Sequence, residues 1–204
     1  MNNISMNKGV PVNAMTEQTK KILIILVVIL VVSGWMISQR NRLIAADETV
    51  SAAWSEVDNQ LQRRSDLIPN LVATVQGVAG HEREVFSDIA QARARLAGAS
   101  TVSETAEHYQ ELQGALSRLL VVVENYPQLQ SNQSFIRLQD ELAGTENRIA
   151  VARNRYNEAV RRFNTQIRTF PASMLAPRFG LGQRDYFEIS ESARTVPQVN
   201  FQQN

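Results

Sequence analysis

The chain has 204 residues, a net charge of +1 and no cysteine. Zinc ribbons, thiol nucleophiles, disulfides and a lipid-bearing cysteine are therefore excluded together. All three lysines lie within the first 21 residues, and after residue 42 the chain carries 16 Arg against 19 Asp and Glu, a mildly acidic balance unlike that of a nucleic-acid-binding domain.

A short tail, residues 1–21, precedes the first element. Ile22 to Ile37 is an uncharged apolar run with Lys20 and Lys21 before it and Arg40 and Arg42 after it. Crossing about 30 Å of hydrocarbon takes about 20 helical residues, and Ser38 and Gln39 bring the run close to that length. A cleaved signal peptide has a similar basic start and apolar core, but no small-x-small site follows this run. Residues 22–39 are therefore predicted to be an uncleaved transmembrane helix, with Trp35 suited to the interface. Three Lys before the run against two Arg after it favour an N-terminus in the cytoplasm and a periplasmic domain, with a cytoplasmic domain as the alternative.

Residues 43–170 read as four amphipathic helices, and roughly 160 residues suffice for one core. The first runs from Leu43 to Arg64, with Leu43, Val50, Trp54, Val57 and Leu61 on one stripe. Asp66 is placed to cap a second helix, with Pro69 in its first turn, Ile68, Leu71, Val75, Val78, Val85, Ile89 and Leu96 on its face, and Gly98 as its stop. Thr101 and Glu104 have capping-box spacing and open a third helix whose face is Tyr109, Leu112, Leu116, Leu119 and Val123; Pro127 closes it. The fourth begins near Ser131 and carries Phe135, Leu138, Leu142, Thr145, Ile149, Ala152, Tyr156, Ala159, Phe163, Ile167 and Phe170 in heptad-like steps. No segment alternates with period two, so the predicted fold is all-α: a transmembrane helix followed by an antiparallel up-down-up-down four-helix bundle. Residues 171–204 are broken by Pro171, Pro177, Gly180 and Pro197 but rich in aromatics. They read either as a strap on the chain's own helices or as an arm docking on a neighbour, with Phe170, Pro171, Phe179, Tyr186 and Phe187 as the docking candidates.

Reaction chemistry is sparse. His81-Glu82 starts like a zinc-peptidase helix, but position 85 is Val, and neither His81 nor His108 has a Glu three residues before it. Phosphate-binding glycine loops and nucleophile elbows are missing as well, so no enzyme, cofactor or metal is expected. Several residues on or beside apolar stripes are candidates for polar-core or structural roles: Arg63, Arg64, Asp66, Pro69, Asn70, His81, Glu82, Glu124, Glu141, Asn157 and Asn164. Paired arginines and carboxylates would fix helix register, while a ligand pocket would use the same residues differently.

The strings RRSDLIPNLV (63–72), HE (81–82), AR (92–93), ENYPQL (124–129), FIRLQDELAGTENRIAVARNRYNEAVRRFN (135–164) and FP (170–171) resemble the LemA family of bacterial membrane proteins over roughly residues 43–187. The resemblance implies an N-terminal anchor and a bundle of long helices; members of the family are discussed near membrane proteases and in membrane-organelle formation, and no residue role carries over from them. Many relatives carry a lipid-bearing cysteine at the start of the domain where this chain has Arg40-Asn41, and such relatives export their domain, which agrees with a periplasmic placement. Leu181 follows Gly180 where relatives often place Phe. The expected function is a membrane-anchored scaffold or adaptor that self-associates into a homo-oligomer and holds another membrane protein. The alternatives are a sensor binding a small ligand in its bundle and, last, a hydrolase.

Overall fold

In the computed structural model, which describes residues 17–188, the first helix, α1, runs without interruption over Glu17–Gln76. The chain divides into two compact units, residues 1–42 and residues 43–204. In the first, every apolar side chain from Ile22 to Ile37 is exposed to the surroundings, and α1 is long and apolar enough to cross a membrane by length and composition.

In the second unit the remaining elements are α2 (Arg83–Gly98), α3 (Val102–Glu124), the short α4 (Pro127–Gln130), α5 (Gln133–Arg168), the short α6 (Ala172–Leu175) and a 3-10 turn over Ala176–Phe179. Every regular element among the described residues is helical. Ion pairs of Arg95 with Glu111 and of Arg118 with Asp88 show that α2 and α3 run antiparallel. Trp54 packs on Tyr156 and Arg64 bonds Thr145, so α1 and α5 also run antiparallel.

The boundary expected at Asp66 is absent: α1 continues through it and ends near Gly77. Asp66 and Pro69 are both exposed residues in the middle of a helix rather than the opening of one. An interior proline removes one N–H and frees the carbonyl four residues earlier, here that of Ser65. Arg93 of α2 fills that gap, its Nε donating to the Ser65 carbonyl at 3.0 Å and to the Ser65 hydroxyl at 3.0 Å. The break comes instead at residues 77–82, where the backbone makes tight turns such as Val78 N–H to Val75 O.

The later helices follow their local signals closely. Thr101 caps α3 and Glu104 returns the bond, completing the capping box. Asn132 caps α5 through Ser134 and Phe135, one residue past the expected start. Along α5 the buried side is Leu142, Thr145, Ile149, Ala152, Tyr156, Val160, Phe163 and Ile167, so Val160 replaces the expected Ala159. Two successive steps of four let the seam drift with the 3.6-residue turn instead of holding a strict heptad. Phe170 falls beyond the helix and is exposed.

Arg93→Ala is expected to lower unfolding stability by about 1–3 kcal/mol, because a partly buried carbonyl loses its donor. In a Pro69→Ala background, where the backbone N–H is restored, the same substitution costs less by roughly 1 kcal/mol. Urea unfolding of the four proteins in a double-mutant cycle measures the difference.

Candidate functional site

The polar side chains of the domain gather in two places. The first is centred on Arg64, whose residue is only 6% exposed. Its guanidinium donates to the Leu142 carbonyl at 2.9 Å, to the Thr145 hydroxyl at 3.4 Å and to Gln113 Oε1 at 2.8 Å, and lies 3.1 Å from Glu146. Glu146 also accepts from the Tyr109 hydroxyl and from Gln113 Nε2. One cation on α1 thus holds groups on α3 and α5, with Arg93 of α2 one residue along at Ser65. Burial first, then the bond to Glu146, push the Tyr109 hydroxyl far above the usual tyrosine range.

This layer separates two apolar clusters. One contains Leu43 to Leu61, Ala106, Tyr109 and Ile149 to Ile167, joined by Phe187; the other contains Ile68 to Ala79, Phe86 to Ala92, Leu112 to Val123, Leu129, Phe135 and Leu142. Beside the layer lies a cavity of about 380 Å³ lined by Arg64, Leu71, Gln113, Leu116, Leu142 and Glu146, among others.

The second place is the segment after α6. Gly180, with φ of 72°, closes the 3-10 turn through bonds to Ala176 and Pro177, a left-handed conformation that a side chain would strain. The chain then runs over residues 181–188 against α5. Asn164 accepts from the Arg184 N–H and donates to the Arg184 carbonyl, both at 2.9 Å. Asn157 does the same to Phe187, at 2.9 and 3.1 Å. Two amides seven residues apart on a helix stand about 10.5 Å apart along its axis, and three residues of extended chain cover about 10 Å. That match requires residues 184–187 to be nearly extended. Tyr156 donates to the Asp185 carbonyl at 2.8 Å, and Arg184 forks onto Asp47 of α1 at 2.8 and 2.9 Å. Phe187 is fully buried against Trp54 and Tyr109.

Of the candidates named from the sequence, Arg64 lies in the first assembly and Asn157 and Asn164 in the second. Arg63, Asp66, Pro69, Asn70, His81, Glu124 and Glu141 are exposed, and Glu82 sits half-buried in the turn before α2. Of the docking candidates, Phe187 is buried and Phe179 and Tyr186 pack on the same cluster, so the strap alternative describes residues 172–188; residues 189–204 lie outside the described part. Pro171 is half-buried and Phe170 is 80% exposed. Gln113, Glu146 and Arg93 were missed as polar partners because each sits one position off an apolar stripe, where a solvated face is the usual reading. Among the described residues no group of three or more His, Cys, Asp or Glu could hold a metal.

The structure thus defines an all-helical domain preceded, on the same first helix, by a long apolar segment. The model of the LemA family matches residues 53–201, most of the chain, and the protein belongs to that family. No curated protein matches the chain.

Asn157→Ala and Asn164→Ala together are expected to release residues 181–188 while leaving the helices intact. Far-ultraviolet circular dichroism should stay at the wild-type value, Trp54 emission should shift to the red, and limited proteolysis should cut within the strap; retained protection there would contradict the assignment.

Proposed function

We propose that this protein is a membrane-anchored helical scaffold or adaptor that self-associates and supports other membrane proteins. In this reading residues 22–39 cross the bilayer, and α1, α2, α3 and α5 close an up-down-up-down four-helix bundle on the periplasmic side of the bacterial inner membrane. The observation that carries it is that both polar assemblies are spent on structure. Arg64, Gln113 and Glu146 bind one another and the backbone, and Asn157 and Asn164 hold the strap. The one hydroxyl set beside a carboxylate, Tyr109 against Glu146, is buried and also accepts from Gln113, so it is committed to the layer. Binding would instead use the domain's outer surface, where Leu120, Val121 and Val151 are exposed apolar side chains on α3 and α5.

The sensor reading keeps one observation in its favour, the cavity beside Arg64. Its volume falls within the range of small-molecule sites, but its mouth is lined by the same groups that hold the helices together.

Extraction of the full chain in mild detergent, followed by sizing and native mass spectrometry, tests the proposal. A particle of several copies, or one with a second membrane protein at fixed stoichiometry, is the expected result. A monomer free of partners contradicts it, and a monomer retaining a small molecule favours the sensor.

A further inference from the structure

One end of the domain exposes apolar side chains beside two arginines that make no ion pair among the described residues. The helix α6 buries Ala172 and Leu175 against the core and turns Met174 outward, 67% exposed. Phe170, just before it, is 80% exposed, and Ile44 on α1 is 40% exposed. Leu43 clusters with Ile167, Ala172 and Ala176, so this end is where the domain begins. Arg168 and Arg178 flank the patch in sequence, are exposed, and make no hydrogen bond or ion pair among the described residues. Of the nearby carboxylates, Asp47 is taken by Arg184, and Glu48 stands one turn further along α1 than Ile44.

A solvated face does not ordinarily present a bare Phe and Met together. Aromatic and thioether side chains bordered by arginine suit the boundary between headgroups and acyl chains, where the rings and sulfur leave water and the cations meet phosphate. Covalent reach brings that boundary close. Ile37, the last residue of the apolar run, is six residues before Leu43, and six residues span at most about 20 Å in any conformation.

We propose that this end of the domain, through Phe170, Met174, Arg168 and Arg178, rests on the anionic phospholipid surface of the bilayer that holds residues 22–37. The proposal relies on the membrane-anchor reading above. Contact with lipid removes the apolar patch from water and limits the tilt of the domain over the membrane. It also orients the outer faces of α3 and α5 toward neighbours in the membrane plane.

The test uses the full chain in phosphatidylcholine vesicles with and without phosphatidylglycerol. Since the chain lacks cysteine, single substitutions Val31→Cys, Met174→Cys and His81→Cys each accept one environment-sensitive fluorophore, quenched by lipids carrying a nitroxide near the middle of the acyl chain for position 31 and near its headgroup end for positions 174 and 81. Quenching at positions 31 and 174 but not at 81 is expected. It should be stronger at 174 with phosphatidylglycerol, and each of Arg168→Gln and Arg178→Gln should weaken the contact about five-fold. Quenching at 31 alone overturns the proposal and leaves the anchor standing. No quenching at 31 overturns both. Equal quenching at 81 and 174 overturns the end-on contact. A blue-shifted but unquenched label at 174 that cross-links to a second copy assigns the patch to protein and also overturns the proposal.

Discussion

A buried guanidinium is costly unless its charge is paired and its donors are largely met, and that requirement organises the domain at Arg64, whose two terminal nitrogens are bonded while Nε has no partner among the described residues. The partners come from α3 and α5, while the adjacent Ser65 is held by α2. Apolar clusters lie on either side, and apolar contacts alone do not set register well, since a helix slipped by one turn still buries leucine against leucine. A slip of about 5.4 Å would instead strand Arg64 away from Glu146 and Gln113. The polar layer therefore supplies specificity where the apolar clusters supply most of the burial.

The same device recurs at two places where the chain leaves backbone groups open. Pro69 frees a carbonyl and Arg93 takes it. The strap has no ladder partner, and the amides of Asn157 and Asn164 stand in for one, each offering a donor and an acceptor to a single residue. Side chains on helices thus do the work of neighbouring strands. This allows an irregular segment to lie against α5 without orphaned groups at those positions.

Much of the fold was legible in the sequence because it is locally encoded. Thr101 and Glu104 announce the start of α3, and the buried face of that helix is the one its spacing implies. The apolar run before the domain is likewise plain. What failed was non-local. Pro69 reads as the opening of a helix because proline is common there, and nothing within ten residues reveals that Arg93 will satisfy the carbonyl it frees. Whether the tail straps its own helices or docks on a neighbour was open in the sequence, and the bonds of Asn157 and Asn164 to residues 20 to 30 positions away, with Phe187 buried, are not signalled locally. Glu146 and Gln113 are partly exposed neighbours of the seam, and only their convergence on Arg64 ties them to the buried layer.

Both polar assemblies are thus committed to holding the domain together. The central claim is that the Arg64 layer sets the register of α1 against α5. The most direct measurement is the distance distribution between spin labels at Asp58→Cys and Arg148→Cys, both exposed, by pulsed electron resonance in the otherwise intact chain and in Arg64→Met. The account predicts a narrow distribution in the first and, in the second, a broadened one or a shift of about 5 Å, one helical turn. An unchanged, equally narrow distribution in folded Arg64→Met would contradict it.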